Sequence, residues 1–536
     1  MADVTRRDLA SRRRWWRWAL GGYAPLVVGV ALAAAVVVVA PSTGEEKVEA
    51  EEREVGIEGE PATGWKGAGA TVTACEGGGL QVPDDPYSPP CFAFAGDNGG
   101  ETSKGVTGDT ITVTYRQTPE PNVLALLAQL MGIEFDETAE DFQRTVSGLI
   151  DYFNATFQLY GRQMELEIYD GQGAITTELV GGGREAASID GLKAATEIGA
   201  FADVTATTQP YAEALATNET IGFGAPYLSR EWFGEHRPYA WSLASDCSVV
   251  GEAASAYGLA RLIGQPADRA EGDLRDQTRK MAVISPNNAE YQRCADAGLK
   301  VVEDAGEEID FVTDYALDLG RIPNQATSIA TELVRQGITT ISCFCDPFML
   351  LNLIQQVDAA GIDPEWIVTG VGFIDLDLIG QGLSKQNDQW DGAFGASPLG
   401  VQPELKDSPG YKAFKSVRPD EEPSVAVDVF YYQLYQLALG IQMAGPELTP
   451  LTLETGLLSY PEHTGPAGTW DYFEDSYTPI IDLREVVWDP DVRSPFNGQM
   501  GSYVGDGPRF RREDVAEILG EDSPFPEDDS EDDEGE

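Results

Sequence analysis

The chain has 536 residues, of which 36 are Lys or Arg and 89 are Asp or Glu, so its formal net charge is −53. That balance excludes a nucleic-acid binder, because phosphate recognition relies on clustered Lys and Arg, and it argues against docking on anionic lipid. Only two His occur, His236 and His463, which excludes a histidine-rich metal site, whereas 42% hydrophobic residues suffice for two or three packed domains.

Taken in chain order, residues 1–18 form a basic segment with six Arg and two Asp. No charge occurs between Arg17 and Glu45, and the stretch 26–40, LVVGVALAAAVVVVA, is wholly apolar. Crossing a bilayer takes about 20 apolar helical residues, so 19–40 is expected to be one N-terminal transmembrane helix. The arginines before it keep the N-terminus inside and place everything from Pro41 outside the cell membrane. A cleaved signal peptide, which would leave the protein secreted, is the alternative. Against cleavage, no A-x-A pattern precedes Pro41, and no Cys follows until Cys75.

Residues 41–104 are acidic and rich in Gly and Pro and are expected to form a stalk. Alternation in Thr110–Tyr115 then predicts a strand, and strand-like and helix-like stretches succeed one another. Helices are predicted over Phe142–Tyr160, Ala186–Ile198, Gln209–Ala216, Ala289–Ala305, Gln325–Gln336 and Pro347–Ala360. Strands are predicted at Met164–Tyr169, Phe201–Thr205, Lys280–Ile284, Ile309–Thr313, Thr339–Cys343 and Trp366–Thr369. Such alternation implies parallel sheets covered by helices, and a body of roughly 400 residues exceeds what one core usually supports. Two α/β lobes facing each other across a cleft are therefore expected, with ligand sites beyond the carboxyl ends of the strands. Residues 512–536, almost all acidic or small, are expected to be a disordered tail.

The six cysteines, Cys75, Cys91, Cys247, Cys294, Cys343 and Cys345, are even in number, which suits an oxidising exterior. Cys75 and Cys91 are close in sequence and predict a local staple; the other four leave one or two bridges open. Cys343-Phe344-Cys345 lacks the C-x-x-C spacing and any nearby His, so a structural disulfide is expected there rather than a redox or metal motif.

The run Gly105-Val106-Thr107-Gly108-Asp109-Thr110-Ile111-Thr112-Val113 resembles the opening strand of the type 1 periplasmic binding proteins, in the branch of extracellular solute-binding proteins of branched-chain amino-acid-type ABC importers. Ala202–Pro210, Ile221–Tyr227, Ala282–Tyr291, Leu333–Gly370 and Trp390–Gly395 resemble later segments of that family, in its order. The resemblance implies an α/β fold of two doubly wound parallel-sheet lobes joined by three crossover segments. Lobe 1 would comprise 105–242 and 395–465, and lobe 2 243–394 and 466–511. It also implies a binding protein rather than an enzyme, with no cofactor, metal or catalytic residue. Its expected partners are a small polar ligand, amino-acid-like, an amide or a short carboxylate, and the permease and ATPase subunits of an ABC importer.

By the same resemblance, Thr207 and Thr208 are expected to hold a ligand carboxylate at the start of the helix that Gln209-Pro210 opens, where free N–H groups attract anions; the plain alternative is an N-cap. Ala225 and Tyr227 would follow on the next ligand loop. Tyr211, Tyr227, Tyr291 and Phe373 are candidate aromatic walls. The family's acid for a ligand ammonium has no counterpart in Thr369–Phe373, so Asp375 or Asp346 is expected to substitute, Asp346 having the alternative role of a helix cap. Two other functions compete: a ligand-sensing subunit on the same fold, and an extracellular hydrolase. Neither His lies in a catalytic motif, and no G-x-S-x-G elbow is present.

Overall fold

The computed structural model describes residues 71–520, apart from 122, 225, 226, 474 and 475. The expected transmembrane segment 19–40 and the acidic tail from 521 lie outside the described residues. Among those described, no helix is long and apolar enough to cross a membrane.

Two sheets organise the body. In the first, β3 (Thr110–Gln117), β4 (Gln163–Asp170), β5 (Ala202–Asp203), β6 (Ile221–Phe223) and β7 (Ala240–Trp241) are all parallel, in the order 4-3-5-6-7. In the second, β8 (Met281–Pro286), β9 (Phe311–Tyr315), β10 (Thr340–Cys343), β11 (Glu365–Val368) and β12 (Phe394–Ser397) run parallel in the order 9-8-10-11-12. Both windings place the first strand second in its sheet, with strand order reversing beside it; the carboxyl ends there are where open α/β sheets bind ligands. Every residue of β8 is buried, as expected of a parallel strand covered on both faces.

The second sheet is not wholly parallel, which corrects the expected fold. Leu483–Arg493 (β15) joins β12 antiparallel, and Met500–Val504 (β16) and Arg509–Phe510 (β17) pair antiparallel with β15. β15 reaches β12 only after the third crossing, running against it, and β16 follows β15 through a short turn, as antiparallel neighbours can.

Three segments pass between the lobes: 242–246, 398–408 and 471–482. The second and third begin later than the sequence places them, since β12 keeps 394–397 in the second sheet. The strand Gly468–Trp470 (β14) pairs with His463–Gly465 (β13), and Trp470 packs in the core of the first lobe. Between the second and third crossings, helices α12 (Pro409–Val417), α13 (Val427–Ala444) and α14 (Pro450–Leu458) cover the first sheet with α2 (Ala139–Thr156). Helix α2 starts three residues before the predicted Phe142, because Thr138 and Asp141 form a reciprocal capping box ahead of the apolar pattern.

Where a stalk was expected, residues 71–104 carry an antiparallel hairpin of β1 (Thr71–Ala74) and β2 (Phe92–Ala95), closed by the Cys75–Cys91 disulfide. Tyr87, 1% exposed, fixes this hairpin to the first lobe. Its hydroxyl donates to the Gly468 carbonyl at 2.7 Å and accepts from the Ala467 N–H at 2.8 Å, and its ring stacks on Trp470 at 4.6 Å. The remaining cysteines pair as Cys247–Cys294 and Cys343–Cys345.

Candidate functional site: the cavity between the lobes

A cavity of about 410 Å³ lies between the two sheets. Its walls come from the carboxyl ends of β3 (Tyr115 to Thr118), β5 (Thr205, Thr207), β6 (Gly224) and β7 (Ser242 to Ser245), and, across the cleft, of β11 (Phe373, Asp375) and β12 (Pro398 to Gly400). The crossing segment at 398–403 and the β13–β14 turn at 466–467 also border it, and Phe430, Tyr432 and Gln433 of α13 add to it. Gln433 ties this wall together by donating to the carbonyls of Val204 at 2.6 Å and Phe223 at 2.9 Å. The lining is mostly apolar, rich in proline, leucine and aromatic side chains.

A fourth connection between the lobes also borders the cavity, and the sequence reading missed it. Helix α1 (Val123–Met131), which follows β3 of the first lobe, packs on α11 (Asp377–Gln386) of the second. Leu127, Ala128, Met131 and Ile133 are buried in the second lobe's core, while Val123 and Leu124 line the cavity. Gly382 permits this approach: a Cβ there would stand 2.3 Å from the Met131 Cβ. Beyond the helix, Lys385 donates to the Gly132 carbonyl at 2.7 Å and Gln499 to that of Glu134 at 3.0 Å. Both ends return to the first lobe, where Glu120 accepts from the Thr176 N–H at 2.8 Å and Glu137 from the Val425 N–H at 3.1 Å. Residues 118–138 thus strap one lobe to the other.

The expected anion site is already filled by the chain itself. Helix α5 (Gln209–Thr217) begins as predicted, with Pro210 in its first turn, but Thr208 does not cap it. Its hydroxyl instead donates to the Glu178 carboxylate at 2.5 Å, and the first helical N–H, of Gln209, donates to the Tyr227 hydroxyl at 2.8 Å. Glu178, on the short helix Ile175–Leu179, is fully buried and takes two hydrogen bonds from Arg116 Nη2, at 2.9 and 2.8 Å. Gly173 leaves it room, since a Cβ there would meet Glu178 Oε1 at 2.1 Å. Burial works to lower the Arg116 pKa, but the Glu178 and Asp190 carboxylates and Tyr211 outweigh it and hold the guanidinium up.

The other expected site residues divide. Thr207, Tyr227, Phe373 and Asp375 line the cavity. Phe373 holds a left-handed backbone at φ 66°, which turns the chain at the end of β11. Asp375 accepts from the Ser397 hydroxyl at 2.6 Å, and burial raises its pKa. Thr208, Tyr211, Tyr291 and Asp346 do not line the cavity. Tyr211 is buried with its hydroxyl on Asp203 at 2.8 Å and Tyr169 at 2.6 Å. Asp346 caps Pro347–Ala359 (α10), accepting from the N–H groups of Phe348 and Met349 and from Tyr315. Ala225 lies outside the described residues.

Tyr291 joins the lobes rather than facing a ligand. It sits on Ala289–Asp304 (α8) and stacks on Tyr227 with centroids 5.9 Å apart. Beside that pair Ser229 donates to Glu290 at 2.5 Å, and Arg293 bridges to Glu231 at 3.3 Å. Contact of Tyr227 with Tyr291 takes the space between those loops, so the cavity sits nearer the crossing segments.

Two α/β lobes with repeated parallel strand order, joined by three crossings and facing each other across a cavity at the strand ends, define a two-lobed cleft fold. The family model described as periplasmic binding protein matches residues 133–491. The chain belongs to that family. No curated protein matches it in sequence. Among solved structures, the leucine-, isoleucine-, valine-, threonine- and alanine-binding protein from Brucella ovis, in a closed conformation, is 12% identical with a TM-score of 0.53, covering 78% of this chain and 99% of its own. A solute-binding protein of an ABC transporter from R. palustris, in complex with 4-hydroxybenzoate, is 15% identical with a TM-score of 0.52, covering 75% and 97%. A substrate-binding protein of an ABC transporter from Aeropyrum pernix is 15% identical with a TM-score of 0.51, covering 77% and 100%. At these identities the likeness is one of fold.

Proposed function

We propose that this protein is an extracellular solute-binding protein that encloses a small ligand between its lobes and presents it to an ABC permease. The observation that carries this reading is the 410 Å³ cavity at the facing carboxyl ends of both sheets, a volume suited to one small molecule. Family membership and the ABC-transporter relatives of the same fold support it. Thr207, Tyr227, Phe373 and Asp375 are the expected residues that touch the ligand. The mostly apolar lining narrows the small polar ligand expected from sequence to one with an apolar body carrying few polar groups. Residues 19–40 would hold the binding body outside the cell membrane, or release it if cut; extraction of the full chain with alkaline carbonate separates the two. Mass spectrometry of the protein denatured after native purification should release a stoichiometric small molecule. Small-angle scattering should then show a more compact particle with that molecule than without it. No co-purifying molecule and no compaction across a broad panel of amino acids, amides, amines and organic acids would overturn the proposal.

A further inference from the structure

The Glu178 carboxylate, behind the cavity wall at the start of α5, takes up the Thr208 hydroxyl and the guanidinium of the lining residue Arg116. Glu178 is fully buried at the start of α5 and saturated by Arg116 and the Thr208 hydroxyl. Arg116 is the one cation among the described residues lining the cavity, and it is flanked by two carboxylates, Glu178 at 2.8 Å and Asp190 at 3.7 Å. Arg484 and Arg509 stand behind the Pro398–Leu399 wall, where both donate to the Leu399 carbonyl. The other charged groups in the lining are all acidic: Glu120, Glu137, Asp375, Asp377 and Asp428.

Two buried groups in the lining lack hydrogen-bond partners. Ser242, 1% exposed, makes no hydrogen bond through its Oγ, and Arg116, 5% exposed, makes none through its Nη1, whose ion-pair partner Asp190 stands at 3.7 Å. A buried polar atom without a partner is costly, so these two mark where a polar atom of the ligand completes the site. A hydroxyl and an N–H already neutralised by acids recognise an uncharged oxygen well and a second carboxylate poorly, because that carboxylate would sit beside Glu178.

We propose that Glu178 is a specificity-determining residue that excludes carboxylates, and that the cavity takes a non-anionic ligand: an amide, alcohol or amine on an apolar body. This rests on the solute-binding reading above and narrows it. Like charges brought together at a binding site cost enough to lower affinity by about 100-fold or more.

The test is calorimetric titration of the full chain, freed of any co-purified ligand, with two matched series: 4-hydroxybenzoate, 4-hydroxybenzamide and 4-hydroxybenzylamine; and leucine, leucinamide and isoamylamine. The expected result is binding of amides or amines at least about 100-fold tighter than the matched acid. Glu178→Ala, which vacates the position, should gain binding of the acid. Glu178→Gln, which keeps the shape and removes the charge, should narrow the gap about tenfold even if the alanine variant does not fold. Wild-type binding of either acid as tightly as its amide would overturn this inference while leaving the solute-binding reading intact. No binding of any probe, together with no co-purified molecule, would remove both.

Discussion

Adding one methyl at Gly382 tests whether the strap across the cleft holds the lobes. The new Cβ would stand 2.3 Å from the Met131 Cβ, 2.7 Å from its Cγ and 2.8 Å from its Sδ. Carbon atoms pack at about 3.5–4.0 Å, and no rotamer moves a Cβ, so α1 itself must retreat. Overpacking of this kind costs about 1–3 kcal/mol, against a gain of about 1 kcal/mol from replacing a helical glycine. The severity of the clash places the net loss of Gly382→Ala near 2 kcal/mol. If α1 leaves instead, burial of Leu127 and Met131 is forfeited, at about 1.5–3 kcal/mol each. Gly258→Ala is the control: Gly258 lies inside the helix Cys247–Arg261 and a Cβ there meets nothing within 4 Å, so the same substitution should stabilise by about 0.4–1 kcal/mol. Urea denaturation reads both variants, and amide exchange over residues 123–133 reports whether α1 has loosened. Equal stability of Gly382→Ala and Gly258→Ala, with unchanged exchange in that segment, would refute the strap.

Three further outcomes follow from buried charge and from the disulfides. Burial, aided by Glu271, Asp388 and Asp358, raises the Asp363 pKa to about 6, and burial raises Asp246, Asp375, Asp377 and Asp428 as well. A raised carboxyl pKa means the folded state binds more protons, so stability rises as pH falls from 7 through about 6; a midpoint of thermal unfolding lower at pH 5.5 than at pH 7.5 would contradict this. Asp141, held at about 2 chiefly by its hydrogen bonds from Thr138, acts the other way only below its ordinary value of 3.8. Glu365 takes two hydrogen bonds from buried Arg279, at 2.8 and 2.9 Å, so Glu365→Leu should cost about 3–5 kcal/mol by leaving that guanidinium only the exposed Asp268 carboxylate, and pairing it with Arg279→Met should recover most of the loss in a denaturation cycle. Loop-closure entropy gives the Cys247–Cys294 bridge, spanning 47 residues, about 4 kcal/mol. Replacing it by serines should therefore lower the unfolding midpoint more than replacing Cys343 and Cys345, which are two residues apart.

Much of the architecture was legible because parallel strands and amphipathic helices carry their periods in the chain. The helix from Ala289 was expected at its observed start, and the strands at Met164 and Thr340 within one residue of theirs. Helix α1 was not legible, since VLALLAQLM is apolar on nearly every side and shows no face; it lies between a cavity and a foreign lobe, so it needs none. The antiparallel addition of β15 and β16 went unread because it depends on a return of the chain after the third crossing. At the site, Thr207 and Thr208 stand at a helix start as expected, but the anion that Thr208 meets was not readable. Glu178 lies 30 residues from Thr208 and 62 from Arg116, and only the fold brings the three together. Asp346 illustrates the converse, a local Asp-Pro signature whose capping role needed nothing beyond its own helix.

Tyr87 gives the fold a direction of loading. It clamps the first described hairpin onto Ala467, Gly468 and Trp470, just before the chain makes its third crossing. Any pull arriving through residue 71 is therefore delivered to lobe 1 beside the pivot and not to lobe 2. Such a load reaches the second sheet, residues 281–397 and 483–510, through the three crossings and the 118–138 strap.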